Sequence, residues 1–486
     1  MNVSMVRYFL GKVIAIVGIL MLLPFAVALI YKEHNGIYFL IVALSCVALG
    51  EIMSLKKVKN NAFGLKEGCI ATGLSWIALS IFGCLPFVLS EQIPSFTDAL
   101  FETVSGFTTT GASILSDVEH LDKCMLFWRS FTHWIGGMGV LVFLLAIIPS
   151  TGGSNLILMK AESPGPSVGK LVPKIKTSAM LLYKIYIGIT IAEIIFLLFG
   201  GLDLFEASTM TFGTAGTGGF GIANDSCVGY NLYTQWVFTI FMILFGINFN
   251  FYFFILFKQL KKALGMEEVK YYLFIIIGSV AAISVNIYHL CEDIGDAITK
   301  AASQVASIIT TTGFSSTDFD KWPTFSKTLL VCLMFCGACA GSTGGGIKVS
   351  RLITWVRTVL KELNTYIHPR GIKKIRVDGK IVEHEVIRSI NVYYATFTSV
   401  FVASLLLISI ENYDFTTNFT AVAATINNIG PGLSLVGPTC NFGFFNTFSK
   451  YVFIFDMLAG RLELFPMLML FHPAIYKDLF KSIKKH

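Results

Sequence analysis

Charged side chains are scarce in this sequence. Only 14% of its 486 residues are Asp, Glu, Lys or Arg, whereas 54% are hydrophobic, and the mean hydropathy is +0.70. A soluble chain of this size would carry about 25% charged residues, so we predict an integral membrane protein embedded in a lipid bilayer. The apolar runs also lack the strict period-two alternation of a β-barrel, which favours membrane-spanning helices.

Groups needed for catalysis or nucleotide binding are also missing. We find no nucleophile–base set and no paired carboxylates in the apolar runs, so an enzyme is not expected. Residues 216–221 match a dinucleotide motif by spacing alone, because no strand–helix–strand unit surrounds them. The ten cysteines are scattered without clustered His, which predicts buried thiols rather than a metal site or disulfide. The net charge of +7 arises from Lys and Arg beside helix ends and does not indicate a nucleic acid partner.

What the sequence does contain is a short polar, glycine-ending segment that occurs four times. Segments 1 to 4 are residues 108–112, 216–220, 310–314 and 427–431. Their aligned glycines are Gly111, Gly219, Gly313 and Gly430, separated by 108, 94 and 117 residues. This recurrence indicates an internal repeat. Because glycine lets a carbonyl approach a ligand closely, four such turns around one axis would form rings of carbonyl oxygens that replace the water around a cation.

Each segment follows a short amphipathic stretch and precedes a long apolar run. The stretches are about half the roughly 20 residues that a spanning helix needs, so they are predicted to be re-entrant. We therefore predict an all-α polytopic membrane protein with four helix–pore-loop–helix repeats in a channel-like pseudo-fourfold arrangement, plus an N-terminal helical hairpin that is retained rather than cleaved. The predicted boundaries are 1–60 for the hairpin and 61–160, 161–265, 266–380 and 381–486 for the repeats. The predicted spanning helices lie near 6–31, 36–54, 67–90, 122–149, 177–200, 231–260, 270–291, 326 onward with an interruption, 387–410 and 448–482, and the short ones at 98–107, 203–215, 296–309 and 414–426.

An aspartate stands near the start of each short stretch. Asp98, Asp203, Asp296 and Asp414 are predicted to cap these helices, so that the partly negative helix ends point at the four segments. Lys and Arg collect on one predicted side, in residues 160–176, 258–262, 348–361, 370–380 and 477–485. That side is predicted to be cytoplasmic, so the segments enter from outside, where acidic residues would attract cations.

A glycine-rich run, residues 337–346, lies inside the second long helix of the third repeat. Five of its ten residues are glycine, and each disfavours a helix by about 1 kcal/mol relative to Ala. We expect the helix to break there, on the cytoplasmic side of segment 3, and to form a gate; a kink for close packing is the alternative. Lys348 follows as a gate latch or, as we favour, a lysine that extends to the membrane edge.

Two further polar residues lie in apolar runs. Arg461 is expected to face the pathway and oppose leakage, the alternatives being a salt bridge with Glu463 or an interfacial position. His133 is expected to be a packed, hydrogen-bonded histidine rather than a proton relay.

Together these features resemble the TrkH/KtrB/HKT family of cation transporters. The resemblance covers nearly the whole chain and includes residues 99–107, 133–139, 161–166 and 460–463. In that family four linked helix–pore-helix–helix repeats imitate a tetrameric potassium channel, and the extra N-terminal hairpin is similar to that of the TrkH branch. A serine at the first glycine accompanies sodium transport in the family, so Gly111 implies K⁺ as the transported ion.

The resemblance also implies a location, partners and site residues. We expect a multi-pass protein of the bacterial inner membrane that takes up potassium, forms a homodimer and binds a cytosolic TrkA-type nucleotide-binding regulatory subunit. The implied K⁺ filter comprises Thr109, Thr110, Gly111, Thr217, Gly218, Gly219, Thr311, Thr312, Gly313, Asn428, Ile429 and Gly430. The implied gate comprises Gly337, Gly341, Ser342, Thr343, Gly344, Gly345, Gly346 and Arg461.

Two alternatives stay open. One is a sodium-selective or weakly selective transporter of the same fold, in which a serine at Gly111 would change little. The other is a secondary transporter for an organic solute, with broken helices forming a midplane site. This second alternative predicts two unlike or inverted halves rather than four similar repeats.

Overall fold

The computed structural model describes residues 2–55, 64–139, 175–369, 371 and 374–477. Over these residues the regular structure is helical apart from one short hairpin, in which β1 (Arg376–Val377) pairs antiparallel with β2 (Lys380–Ile381). The prediction of an all-α architecture is confirmed. The division of the chain at residues 60, 160, 265 and 380 remains a prediction.

Nineteen α-helices and four short 3-10 helices occur in the described residues. The N-terminal group contains α1 (Val3–Leu20), α2 (Leu22–Tyr31) and α3 (Gly36–Leu55). Around segment 1 lie α4 (Leu65–Leu89), α5 (Phe96–Phe107) and α6 (Lys123–Gly137). Around segment 2 lie α7 (Ile175–Phe199), α8 (Leu204–Gly216), α9 (Leu232–Phe245), α10 (Phe249–Leu256) and α11 (Leu260–Gly265). Around segment 3 lie α12 (Glu267–Ile287), α13 (Ile294–Ile309), α14 (Thr324–Met334) and α15 (Val349–Ile367). Around segment 4 lie α16 (His384–Ile408), α17 (Phe415–Ile426), α18 (Thr447–Arg461) and α19 (Phe465–Leu470).

Six helical spans in the described residues are long and apolar enough to cross a membrane, with α1 and α2 together forming the first. They are Val3–Tyr31, Gly36–Leu55, Leu65–Leu89, Ala179–Phe199, Glu267–Leu290 and His384–Glu411. The pair α9 and α10 passes the same test together but is bent by 90°. This number of apolar helices agrees with the predicted multi-pass membrane protein.

The four helices that lead into the segments are short. Helices α5, α8, α13 and α17 have 12, 13, 16 and 12 residues, which is about 18–24 Å at 1.5 Å per residue and less than the roughly 30 Å hydrocarbon thickness. Their contacts follow a closed circle, because α6 packs on α8, α9 on α13, α14 on α17 and α18 on α5. Each short helix is therefore held between neighbouring groups, and its C-terminal end delivers a segment to the centre.

The predicted aspartate caps are only half right. Asp203 and Asp414 cap α8 and α17 by accepting the N–H of Glu206 at 2.7 Å and of Thr417 at 2.9 Å. The prediction is wrong for Asp98 and Asp296, because Ser95 and Asp293 occupy the cap positions of α5 and α13. Asp98 and Asp296 lie in the first helical turn, where a carboxylate still complements the positive helix end.

Two of the predicted long helices are broken. The helix predicted at 231–260 bends between α9 and α10, where Asn248 caps α10 by accepting the Asn250 N–H at 2.9 Å. The helix predicted at 448–482 ends at Arg461, because Glu463 and Leu464 have positive φ values of 56° and 69°. The predicted interruption of the third-repeat helix is present between Met334 and Val349. The predicted helix at 122–149 reaches Gly137, and its residues 140–149 lie outside the described residues.

Candidate functional site

The four segments share one backbone conformation. The second residue before each aligned glycine is not glycine yet has a left-handed φ, namely Thr109 at 56°, Thr217 at 56°, Thr311 at 59° and Asn428 at 55°. The glycines also have positive φ, from 79° at Gly111 to 96° at Gly430. A non-glycine residue in this region costs of order 1–3 kcal/mol and usually marks a functional site. Its fourfold occurrence shows that surrounding structure imposes the same turn each time.

Hydrogen bonds explain how this turn is held. The residue before each glycine donates its N–H to the carbonyl five residues earlier, at the C-terminal end of the short helix. These bonds join Thr110 to Ser105 at 2.9 Å, Gly218 to Gly213 at 2.8 Å, Thr312 to Ser307 at 2.8 Å and Ile429 to Ala424 at 2.8 Å. In contrast, no donor among the described residues reaches the carbonyl oxygens of 109–111, 217–219, 311–313 or 428–430. These oxygens therefore remain available to a ligand. Carbonyls inside a protein without a partner are uncommon.

Close approach of the backbones explains the glycines. A Cβ added to Gly111, Gly219 or Gly313 would overlap the carbonyl oxygen of the next segment, and one on Gly430 would lie 2.8 Å from the oxygen of Thr110. The contacted oxygens belong to Gly218, Thr312, Ile429 and Thr110, in that order. Segments 1, 2, 3 and 4 thus contact one another in sequence, and segment 4 returns to segment 1. The twelve residues predicted for a filter are brought together in one ring, in which any side chain at the four glycines would displace a carbonyl.

A cavity of about 130 Å³ opens on one side of the ring. All four aligned glycines line it, together with Arg129 and residues of the loops that follow the segments. At its rim Asn224 donates to Asp117 through its side-chain amide at 2.9 Å, and this hydrogen bond holds the pKa of Asp117 below its usual range. An ionised carboxylate at the rim attracts cations, which agrees with the acidity predicted for the outer side.

Two buried side chains, His133 and Asn428, stabilise the ring through hydrogen bonds. His133 is fully buried, with Nδ1 at 2.7 Å from the carbonyl oxygen of Gly106 and Nε2 accepting the Phe220 N–H at 3.2 Å. One ring nitrogen donates while the other accepts, so this is a neutral, hydrogen-bonded histidine, as predicted. Asn428 replaces the threonine of the other segments, and its amide donates to the Thr110 hydroxyl at 2.9 Å and to the Met457 carbonyl at 2.9 Å. The asparagine thereby joins segment 4 to segment 1.

An ion pair beside the cavity was missed by the sequence analysis. Glu102 lies in the predicted short stretch 98–107; it is buried and accepts from Arg129 Nε at 2.6 Å. Its carboxylate also accepts from the Ser113 hydroxyl and the Ile114 N–H, beyond segment 1. The guanidinium of Arg129 donates to the Gly221 carbonyl at 2.8 Å, beyond segment 2. The pair therefore connects the loops that leave the first two segments. No spacing rule indicates it, because the two residues are 27 positions apart on different helices.

The glycine-rich run lies directly against the opposite side of the ring. The N–H of Gly345 donates to the Thr311 hydroxyl at 2.7 Å, and a Cβ on Gly345 would lie 2.8 Å from the Asn427 carbonyl oxygen. Residues 337–346 therefore contact segments 3 and 4 on the side of the ring opposite the cavity. The alternative of a simple packing kink does not describe this arrangement, since the backbone leaves the helical path for the whole run.

Two basic side chains bind the carbonyl oxygens of this run. Lys348 is only 1% exposed and donates to Gly344 and, at 2.9 Å, to Gly345, so the favoured prediction that it extends to the membrane edge is wrong. Arg461 donates to the Thr343 carbonyl at 2.8 Å. The same guanidinium donates to the α6 carbonyls of Gly136 at 2.6 Å and Gly137 at 2.8 Å. A cation at a helix C-terminus is electrostatically favourable.

The run is also held at its edges. Glu268, which the sequence analysis did not single out, is buried and accepts the N–H of Ala340 at 2.7 Å and of Ser350 at 3.0 Å. At the α9–α10 bend, Gly246 accepts the Cys339 N–H at 3.0 Å and Phe249 donates to Gly341 at 3.0 Å. The two irregular regions therefore satisfy each other's backbone groups, which permits both to lie at membrane depth. The predicted residues 161–166 lie outside the described residues.

Comparison with known proteins agrees with this architecture. A family model described as TrkH, cation transport protein, matches residues 36–480. The chain is 32% identical to the Trk system potassium uptake protein TrkH of Salmonella typhimurium, with 98% of this chain and 100% of the relative covered. It is 34% identical to the TrkH of Vibrio parahaemolyticus, with 96% and 98% covered.

A solved structure is similar over the same length. The crystal structure of the potassium transporter TrkH from Vibrio parahaemolyticus superposes with a TM-score of 0.87 at 31% identity, covering 98% of this chain and 99% of that one. The family match extends over more than half of the chain, and the relatives align over nearly their full lengths. The chain therefore belongs to the TrkH family of cation transport proteins.

Proposed function

We propose that this protein takes up potassium ions across the bacterial inner membrane, through a selectivity filter formed by the four segments. The single observation that carries the proposal is the closed ring of backbone carbonyls at the four aligned glycines, in which no described donor occupies the oxygens. Such oxygens replace the hydration shell of a cation. The relatives named as potassium uptake proteins support K⁺ as the ion, and Gly111 stands where a serine would accompany sodium transport.

The proposed filter consists of residues 109–111, 217–219, 311–313 and 428–430. A K⁺ ion would leave the acidic rim, enter the 130 Å³ cavity and exchange its water for the ring oxygens. Because α5, α8, α13 and α17 all end at the ring, the partial negative charges of their C-termini would favour a cation there. The glycines keep the carbonyls of neighbouring segments close enough to surround a dehydrated ion.

The proposed gate is the run 337–346 together with Arg461. In the described conformation the run lies against segments 3 and 4, with Lys348 and Arg461 bonded to its carbonyls. Two cations next to the pathway, of which Lys348 is buried, would oppose a passing cation. Passage would require the run to move aside, which breaks the Gly345–Thr311 bond and the Arg461–Thr343 bond.

The relatives bear names of the Trk system, and we propose that this chain also works with regulatory partners. The proposed partners are a cytosolic TrkA-type nucleotide-binding subunit and a second copy of this chain. We propose transport without an enzymatic step, which the relatives' names as transport proteins support. The organic-solute alternative has lost support, because the two unlike or inverted halves that it predicts do not match four segments of like conformation.

Growth and flux measurements test this function. The chain, with a TrkA-type partner supplied, should restore growth at low potassium to cells that lack K⁺ uptake. The purified protein in proteoliposomes should carry K⁺ and Rb⁺ in preference to Na⁺. Protein that reaches the membrane but supports neither growth nor K⁺ flux would contradict the proposal, and equal Na⁺ and K⁺ flux would favour the weakly selective alternative.

A further inference from the structure

A second cavity lies away from the ion pathway and is lined mainly by basic residues. It has a volume of about 180 Å³ and lies between α15 and the residues at β1. Its lining residues are Arg357, Leu360, Lys361, Lys374, Ile375 and Arg376. Four of these six side chains carry a positive charge, and the ion pathway uses none of them.

The contacts of Arg357 place this cavity at a membrane boundary. Arg357 Nη2 pairs with Glu267 at 2.7 Å, and Glu267 is the first residue of the membrane-spanning helix Glu267–Leu290. The hairpin that supplies Arg376 is followed almost at once by the span His384–Glu411. Because two spans begin beside it, the cavity lies at the depth of the lipid headgroups. The concentration of Lys and Arg on this side of the chain assigns it to the cytoplasmic leaflet.

The positive charge in the cavity is only partly compensated. Glu267 neutralises Arg357, which also donates to the carbonyl of Arg376. Among the described residues, no carboxylate lies within salt-bridge distance of Lys361, Lys374 or Arg376. A cavity with three uncompensated cations at headgroup depth favours an anionic ligand. Each basic residue near an anionic membrane surface adds to the attraction for an anionic lipid.

An exposed apolar stripe runs along α15 beside the basic cavity. Trp355, Val359 and Leu363 are 42%, 42% and 56% exposed, and Leu360, which lines the cavity, is 58% exposed. Their spacing of three and four residues puts them on one face of the helix. Tyr366, at the end of this face, is 85% exposed. Apolar and aromatic residues beside basic ones are typical of a helix that lies in the membrane interface.

We propose that this cavity binds the phosphate of an anionic phospholipid from the cytoplasmic leaflet, whose acyl chains lie along the apolar stripe of α15. A phospholipid supplies both the negative charge that matches Lys361, Lys374 and Arg376 and the hydrocarbon that matches Trp355 and Leu363. A free phosphate would leave the apolar stripe uncovered. A soluble acidic protein would have to enter the lipid headgroup layer to reach the cavity. The assignment concerns a lipid site and does not depend on which ion the filter carries.

Lipid retention by the purified chain tests the site. The detergent-purified protein is incubated with phosphatidylglycerol or phosphatidylcholine, and native mass spectrometry measures the lipid bound per chain. The variant Lys361→Gln/Lys374→Gln/Arg376→Gln should lose phosphatidylglycerol affinity by at least about tenfold, with little change for phosphatidylcholine. The matched control is Lys258→Gln/Lys261→Gln/Lys262→Gln, which removes three exposed lysines just before α12 and outside the cavity. It should retain the lipid as the unaltered protein does.

Several results would overturn the proposal. These are equal retention of both lipids by the unaltered protein, equal losses in the cavity and control variants, and displacement of the lipid by millimolar inorganic phosphate. A cavity variant that changes only the oligomeric state would instead assign the face to contact between copies of the chain. If the triple variant does not fold, the single exposed substitution Lys374→Glu replaces it and should still weaken phosphatidylglycerol retention severalfold.

Discussion

The ring and the glycine-rich run below it use the same chemistry in two ways. In the ring, four equivalent turns present carbonyl oxygens that no described donor occupies. In the run, the carbonyls of Thr343, Gly344 and Gly345 are occupied by the guanidinium of Arg461 and the ammonium of Lys348. Under the proposed function, the carbonyl oxygens of the ring bind a mobile cation, whereas those of the run accept from the fixed side-chain cations Lys348 and Arg461.

Under the proposed function, this difference explains how one pathway is both selective for an ion and closed by a gate. The ring is rigid because glycine contacts and helix-end hydrogen bonds hold every segment in the same conformation. The run is held by a few individual bonds, each worth about 1 kcal/mol, or about 2 kcal/mol when one partner is charged. Substitutions at the ring glycines should therefore abolish or alter transport, whereas substitutions that weaken the bonds of the run should change its rate by smaller factors.

The largest effect is expected at the ring glycines. In Gly111→Ser the new Cβ would overlap the Gly218 carbonyl at a positive φ, so the oxygens must shift and the preference for K⁺ over Na⁺ should fall by at least about tenfold, or about 1.4 kcal/mol. Competitive flux of the two ions in proteoliposomes measures this. The control Gly188→Ser adds the same side chain where nothing lies within 4 Å and should preserve selectivity. Unchanged selectivity in Gly111→Ser would show that the ring does not determine the discrimination between K⁺ and Na⁺.

The next effect is expected at the ion pair beside the cavity. Glu102→Gln leaves Arg129 buried without its carboxylate, which should destabilise the protein by about 3–5 kcal/mol. The uncompensated cation should also reduce K⁺ entry, most strongly at low ionic strength because salt screens charge. Thermal unfolding and flux at two salt concentrations measure the two effects.

The double variant Glu102→Gln/Arg129→Met separates charge from structure. It should recover the salt dependence of the unaltered protein even if stability stays low. The control Asp98→Asn breaks the less buried pair of Asp98 with Lys450, which does not line the cavity, and should leave the salt dependence unaltered. A loss of flux in Glu102→Gln that is independent of salt would limit the pair to a structural role.

A moderate increase in K⁺ flux is expected when Arg461 no longer holds the glycine-rich run. Arg461→Gln removes charge-assisted bonds to Thr343 and to the end of α6, so the run should move aside more easily and K⁺ flux should rise about five- to tenfold. Lys450→Gln, at the other end of the same helix, serves as the control and should not raise flux. Reduced flux in Arg461→Gln would show that the arginine assists rather than opposes passage.

The smallest effect is expected at the single hydrogen bond between ring and run. Thr311→Val removes the acceptor of the Gly345 N–H, and a loss of about 1 kcal/mol should raise the flux about fivefold. Thr109→Val is a matched control, because Thr109 has the same left-handed backbone but its hydroxyl has no partner among the described residues. Equal responses of the two variants would exclude this bond as a restraint on the run.

Much of this arrangement could be predicted from local patterns. Four glycine-ending segments after short amphipathic stretches indicated four re-entrant turns, and the glycine-rich run indicated a broken helix. Predictions from local patterns failed where contacts with other residues determine the conformation. Asp98 and Asp296 are not caps, because Ser95 and Asp293 are available one turn earlier. The bend after α9 could not be predicted, because its free backbone groups are satisfied by residues 339 and 341, nearly a hundred positions later.

The amino-acid sequence by itself determined a membrane protein of helices with four turns that only glycine can complete, since composition and backbone freedom are local properties. The tertiary structure alone decided which charges these turns meet. Glu102 pairs with Arg129, Lys348 points inward, and Arg461 binds both the glycine-rich run and the end of α6. A charge is tolerated away from water only where a partner from elsewhere in the chain pairs or hydrogen-bonds with it.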